Sequence, residues 1–267
     1  MNQKLDNQFQ ANKELWDSRV ATHTKAELYN LDGFKRGETS LNSIELNELG
    51  DVNGKSILHV QCHFGQDSLS WTRMGAKVTG SDISTEAINQ ARELNNELEL
   101  DATFVVSNTY ELPNKLEGEF DIVFMSYGVI GWLPDMNKLA EIVNHFLKVG
   151  GKFYMVEFHP IVWTFDDNFE SMIYPYNNSG VLEFDTTTTY ADKNHVSSAK
   201  KEYNWNHGIG EVVTAFASTG MKLNFLNEHD FSPYNVFPYM IEVENGYQIE
   251  GFDGIIPLVY SMMWEKG

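Results

Sequence analysis

The 267-residue chain has little cysteine, little positive charge and no long apolar run. Its one cysteine, Cys62, excludes a disulfide within the chain. Lys and Arg number 19 against 38 Asp and Glu, a formal net charge of −19. Phosphate backbones are gripped by lysine and arginine, so an acidic chain without a basic run disfavours nucleic acid, and for the same reason an anionic membrane surface. No apolar stretch approaches the ~18 residues of a membrane span. The opening MNQKLDNQFQANKELWD lacks a secretory pattern, and a cytoplasmic location is expected. There is no His-x-x-x-His pair on a predicted helix, no CxxC, no Walker loop and no GxSxG turn, so neither a metal centre nor a hydrolase site is expected. With 7 prolines, no low-complexity tract and no internal repeat, no linker divides the chain, and one domain over 1–267 is the simplest reading.

What is present is a large apolar content, 42% hydrophobic and 13% aromatic, enough for a sizeable core and an aromatic-lined pocket. The stretch 56–84 organises the rest. Ile57–Val60 and Lys77–Ser81 read as short strands, with a helix from Gln66 to Met74 between them that Gly75 ends. Gly65 permits a sharp turn at the helix start, where free N–H groups and partial positive charge attract a polar ligand. Asp82 closes the second strand, where a carboxylate can accept the hydroxyls of a ribose. The pattern implies an adenosine ligand.

Across Leu58-His59-Val60-Gln61-Cys62-His63-Phe64-Gly65 the chain resembles the class I S-adenosylmethionine-dependent methyltransferases, and among them a small-molecule subgroup with a similar first loop. The wider family carries an acid where this chain has His59, and glycines where it has Gln61 and His63. The resemblance implies S-adenosyl-L-methionine as cofactor and an α/β, Rossmann-like, seven-stranded, mostly parallel sheet with helices on both faces. It also implies cofactor contacts from His59, Gln61, Cys62 and Gly65 in the first loop, and from Asp82 and Ile83 after the second strand. Asn108 and Thr109, after a third strand at 103–106, complete the set with Ser126 and Tyr127, after a fourth at 120–125. Asn108 stands where the family has an aspartate receiving the adenine amino group.

The first fifty residues read as helices around a glycine-punctuated loop at 29–37, a lid like those of similar enzymes; Tyr29 and Phe34 either touch ligand or seal the helices to the core. Ser84 caps a helix to about Asn95, and Asp135 caps one ending at Gly150-Gly151. A fifth strand, 152–158, delivers Glu157, His159 and Pro160 to the ligand edge. Residues 161–206 depart from the strand–helix repeat: extended runs 181–190 and 196–205, around a turn at 191–195, suggest an antiparallel hairpin laid over the site as a cap, or a homodimer surface. Trp132, Trp163 and Tyr203 are candidate substrate contacts with Tyr29. A helix from Ile209, capped near Asn206, a sixth strand at 222–228, an aromatic loop and a seventh strand at 255–264 complete the chain, the last pair expected antiparallel to the rest.

A sulfonium methyl is already activated, so transfer to an oxygen, nitrogen or sulfur of a small molecule needs chiefly in-line positioning and exclusion of water. Where the nucleophile arrives protonated, His159 or His207 is a candidate base, with Glu157 orienting an imidazole or binding a substrate amine. Two alternatives share the opening unit. A nicotinamide-dependent oxidoreductase is disfavoured by the missing GxGxxG; a non-catalytic binder of the cofactor, or of a modified form, would suit the changed loop.

Overall fold

The structure is a computed structural model and describes residues 3–192, 200–252 and 254–267. Its centre is one seven-stranded sheet, built from β1 (Ser56–Val60), β2 (Lys77–Asp82), β3 (Thr103–Val106), β4 (Phe120–Ser126), β5 (Leu147–Phe158), β8 (Lys222–His229) and β11 (Val259–Glu265) in the order β3-β2-β1-β4-β5-β11-β8. The first five strands pair in parallel, and β11 runs antiparallel to both β5 and β8. Only the last strand is therefore reversed, not the expected last pair. β11 slots between β5 and β8, which leaves β8 running with the parallel set.

Alternation along the central strands sorts side chains between two covered faces. Val123 and Met125 of β4 pack in one cluster, with Met136, Leu139, Val143 and Phe146 of α6 (Met136–Phe146) and Phe216 of α7 (Ile209–Ser218). Ile122 and Phe124 pack in the other, with Trp71 of α4 (Gln66–Arg73) and Ile44 of α3 (Ser43–Leu49). Ile88, Ala91 and Leu94 of α5 (Thr85–Glu97) bury a stripe against Leu69 and Phe104. Side-chain caps fix two of these helix starts: Ser84 accepts from the Ala87 amide and Asp135 from the Lys138 amide. α7 begins at Gly208 with no side-chain cap, not near Asn206.

The N-terminal segment is α1 (Gln3–His23), a short 3₁₀ turn at 27–29, and α2 (Leu31–Lys35) where a loop was expected. The cap hairpin is β6 (Leu182–Thr186) paired antiparallel with β7 (Lys200–Asn204); the expected turn from Lys193 onward, with Val196, lies outside the described residues. The aromatic loop near the carboxyl end holds a second hairpin, β9 (Met240–Val243) with β10 (Gly246–Ile249). Its two-residue turn is Glu244-Asn245, and the Asn245-Gly246 step between extended runs is the signal by which sequence could have found it.

Candidate functional site

The loop leaving β1 keeps a glycine-like backbone although glycine remains at one position only. Gln61 and His63 sit in the left-handed region, at φ 59° and 50°. Such geometry costs a side-chain-bearing residue ~1–3 kcal/mol, a strain that collects at ligand sites. Gly65 (φ 82°) opens α4, and a Cβ there would lie 2.8 Å from the Phe104 ring and 2.9 Å from Ala91. Its glycine is thus demanded by packing on the neighbouring strand and helix, as well as by φ.

The side chains of His59 and Cys62 point away from the loop's open side. His59 hydrogen-bonds through Nδ1 to Ser68 Oγ (2.8 Å) and packs edge-on against Phe124, and burial lowers its imidazole to about 3, so it is neutral. It braces α4 under the loop. The Cys62 thiol lies in the apolar cluster of Leu69 and Phe104, and burial pushes it well up, which makes it a small core side chain. Gln61 Oε1, in contrast, is buried with no hydrogen-bond partner in the structure. Asp82 Oδ2 accepts the His63 amide (2.9 Å) and Oδ1 the Ser84 amide (2.8 Å). Burial lifts its carboxyl to about 6, and each oxygen retains a lone pair for a ligand hydroxyl.

Beside it a cavity of about 260 Å³ is floored by Ile83, Val106, Ser107 and Asn108 and roofed by Phe9 and Lys13 of α1. This is room for a nucleobase at the carboxyl ends of β2 and β3. Asn108 Oδ1, expected to receive an adenine amino group, accepts the Tyr110 amide (2.9 Å) and caps a 3₁₀ turn; Thr109 is buried in that turn.

α1 closes over this edge. Asp17 accepts from Ser84 Oγ (2.7 Å) and the Glu86 amide (3.1 Å) at the start of α5. Asn12 extends the cap hairpin, its amide donating to the Tyr203 carbonyl (2.8 Å) while its carbonyl accepts the Tyr203 amide (2.9 Å). Arg19 pairs with Glu202 at 2.9 Å. His23 bridges His63 of the cofactor loop (2.9 Å) and Thr189 of the cap (2.6 Å), and burial lowers it to about 3. Trp16 packs edge-on against Trp132, whose indole donates to the Gly128 carbonyl (2.8 Å).

Next to the loop, between α4, the end of β4 and the lid, a second group of side chains gathers. Asp67, in the first turn of α4, accepts from Ser40 Oγ (2.7 Å) and Ser126 Oγ (3.1 Å). Tyr127 (φ 42°) donates to the buried Glu45 (2.9 Å), and Asn42 donates to the Tyr234 hydroxyl (2.8 Å). Tyr29 and Tyr190 meet hydroxyl to hydroxyl at 2.5 Å. Burial raises Glu45 to about 8 and pushes the Tyr29, Tyr127 and Tyr234 phenols up, aided by their mutual proximity. Asp67, Glu45, Tyr190 and Tyr234 were not anticipated. Asp67 had a signal, two positions past Gly65 on the ligand-facing helix start; Tyr190 and Tyr234 had none, since distant loops bring them in.

The three expected catalytic residues are each held by contacts within the fold. Glu157 accepts the amides of Gly128, Val129 (2.7 Å), Ile130 (3.1 Å) and Phe158 (2.7 Å), using both oxygens on the turn after β4. Burial raises its carboxyl while those four donors pull it down. His159 reaches across β11 to Glu228 (2.9 Å) on β8, away from the loop. His207 Nε2 donates to the Leu133 carbonyl (2.7 Å), with Nδ1 3.1 Å from Glu211. Trp163 is 42% exposed and packs on Phe158 and Phe237, apart from the tyrosine group; Tyr203 joins the lid through its backbone. Among the described residues no cluster of His, Cys, Asp and Glu could hold a metal, and no helix is long and apolar enough to cross a membrane.

Residues 57–151 match the model of a methyltransferase domain. An uncharacterized methyltransferase of Synechocystis sp. is 32% identical over 131 residues, 48% of this chain and 59% of that protein. A ubiquinone biosynthesis O-methyltransferase of Xanthomonas oryzae is 28% identical over 130 residues, 48% of this chain and 54% of the other. The chain thus spans about half the length of the curated relatives it matches. Among solved structures, an S-adenosylmethionine dependent methyltransferase from Mesorhizobium loti shares the fold at TM-score 0.55 and 19% identity, over 87% of this chain and all of that one (100%). One from Methanosarcina mazei does so at 0.55 and 19%, over 85% and 98%.

Proposed function

We infer that this chain, whose residues 57–151 match the model of a methyltransferase domain and whose fold is shared by S-adenosylmethionine-dependent methyltransferases, is an enzyme that transfers a methyl group from S-adenosylmethionine to an oxygen, nitrogen or sulfur of a small molecule. The observation that carries the reading is the juxtaposition, under one lid, of a strained β1 loop, the Asp82 carboxylate and a nucleobase-sized cavity.

The residues present fit the cofactor. Asp82 has free lone pairs toward a ribose, Ile83 and Asn108 border the cavity for the base, and the buried, unpartnered Gln61 Oε1 stands in the loop that would hold the methionine end. The bound cofactor supplies an activated methyl group. The chain's part is then positioning and the exclusion of water. Ser126 and Tyr127 border the acceptor side; α1, held by Asp17, Asn12 and His23, covers both. Glu157 keeps the 128–130 turn in shape, and His159 and His207 hold the surrounding elements; these three are positioning groups here.

Net charge −19 and the covered site support a small-molecule acceptor over nucleic acid, and the single buried cysteine supports a cytoplasmic setting. A thermal-shift panel tests the reading. S-adenosylmethionine and S-adenosylhomocysteine at a hundred times their dissociation constants should stabilise by about 2.7 kcal/mol, raising the midpoint by roughly 5–10 °C. A shift with NAD or NADP alone would replace the reading by an oxidoreductase; a shift with none of the four would remove it.

A further inference from the structure

We propose that His63, His23 and Thr189 form a proton-sensitive latch that ties the lid helix α1 to the cofactor loop and to the cap, shut at neutral pH and released in mild acid. What the lid retains, a nucleoside cofactor, rests on the methyltransferase reading; the latch itself rests on the geometry of the lid.

The three side chains come from three parts of the chain: His63 from the loop after β1, His23 from the end of α1, and Thr189 from the cap beyond β6. His23 Nδ1 lies 2.9 Å from His63 Nε2, and His23 Nε2 lies 2.6 Å from Thr189 Oγ1. Both ring nitrogens of His23 are thus engaged, and the residue is fully buried. Aromatic rings close round the pair. Tyr29 stacks on His23 at 5.2 Å, Trp16 stands edge-on to His23 at 5.9 Å and to His63 at 5.3 Å, and Phe64 meets His63 at 4.6 Å. His63 keeps a left-handed backbone (φ 50°) that glycine would adopt without strain, and what its ring gains there is this hold on α1. Its amide donates to Asp82 (2.9 Å), which joins the latch to the carboxylate offered to the ribose. Phe9 and Lys13 of α1 roof the nucleobase-sized cavity, so a base held there leaves past α1.

One hydrogen lies between His23 Nδ1 and His63 Nε2, and the Thr189 hydroxyl donates or accepts to suit the tautomer that results. A proton on each ring would set two N–H groups face to face. A single added proton puts a charge where burial already lowers His23 to about 3 and His63 well below its usual range, with Arg19, one turn back on α1, adding repulsion. The groups that face the rings do not offset this. On α1, Arg19 is paired with Glu202 at 2.9 Å and Asp17 with Lys13 at 2.6 Å. The Tyr29 and Tyr190 phenols, from the 3₁₀ turn and the cap, are pushed up by burial and stay uncharged, as does the Cys62 thiol of the loop. Asp82 touches His63 at the backbone amide and not at the ring, and Asp67 on α4 is bonded to Ser40 and Ser126. Lifted into water, both imidazoles return to about 6.5, so the open lid binds protons that the closed lid excludes. The latch therefore contributes in full above pH ~6.5 and is lost as pH falls below it.

Hydrogen exchange of the full chain without ligand, read by mass spectrometry and corrected for the intrinsic rate at each pH, reports the opening of α1. Between pH 7.5 and 5.5 the protection of residues 3–23 should fall at least about tenfold, and about a hundredfold where both imidazoles take up protons, while residues 120–126 of β4 keep theirs. The double variant H23Q/H63Q, whose side-chain amides hydrogen-bond but take up no proton, should hold a level profile to within about twofold; H63Q alone, with a fall about tenfold smaller than wild type, serves if the double variant fails to fold. The Asp82 carboxyl, lifted by burial to about 6, titrates in the same range and stays in both variants, which separates its share. On the chain loaded with tritiated S-adenosylhomocysteine and chased with the unlabelled compound, dissociation should quicken over the same pH range, and about tenfold less in the variants. A level wild-type profile, an equal fall in the variants, or a parallel loss of protection in β4 overturns the latch. Exchange that behaves as expected in a chain that does not bind S-adenosylhomocysteine keeps the latch and overturns instead the reading beneath it.

Discussion

Replacing Glu157 by glutamine separates a structural from a catalytic carboxylate with one atom. The wild-type carboxylate is buried and receives four backbone N–H groups, from Gly128, Val129, Ile130 and Phe158. The amide keeps one oxygen as acceptor and turns an NH₂ toward the remaining donors. About two buried amides then lose their partner, at ~1–3 kcal/mol each, for a loss of about 2–6 kcal/mol. In a chain of this size each kcal/mol moves the midpoint by roughly 2–4 °C, so E157Q should melt about 4–24 °C lower. Urea unfolding followed by fluorescence gives the same quantity as a lower midpoint at unchanged slope. The structural assignment is refuted if E157Q melts within about 1 °C of wild type yet loses methyl transfer, since the carboxylate would then act on substrate.

Three further outcomes follow from the same geometry. G65A places a Cβ 2.8 Å from the Phe104 ring at φ 82°, and left-handed strain with overpacking should destabilise by about 2–5 kcal/mol, read by thermal melting. Glu45, raised from 4.5 to about 8 by burial, keeps its proton in the folded chain while the unfolded chain releases it. Its contribution is therefore present below pH ~4.5 and is lost as pH rises toward 8, at about 1.4 kcal/mol per pH unit; the stability difference between wild type and E45Q, measured by urea unfolding at pH 5 to 8, should fall with that slope, and a flat difference would refute the assignment. N12A removes both hydrogen bonds between the lid and the Tyr203 backbone, and should weaken S-adenosylhomocysteine about tenfold by calorimetry; unchanged affinity would mean the lid closes without them.

The parallel core was legible because its signals are local. Alternating apolar runs, the Ser84 and Asp135 caps and Gly65 each act within a few residues of themselves, so β1 to β5 and α4 to α6 could be placed in order. The place of β11 between β5 and β8 was not, because strand order depends on which edge remains unpaired after the rest has assembled. Asp82 was legible for its position at a strand end. Glu157 shared that position and misled: a strand-end carboxylate faces either ligand or the next turn's amides, and only the path of residues 128–130 decides which.

The amino-acid sequence by itself determined the β1 loop and the acid beside it, because a strand, a turn, a helix start and a carboxylate closing the next strand follow one another within thirty residues. Tertiary structure alone decided which side chains gather beside that loop. Tyr29, Asp67, Tyr127, Tyr190 and Tyr234 are scattered over two hundred positions and carry no shared pattern. The lid helix docks on the cap hairpin through contacts such as Asn12 with Tyr203 and His23 with Thr189, and the Tyr29 and Tyr190 hydroxyls meet. Contacts so distant in sequence are set by the packing of whole elements, which no local spacing records.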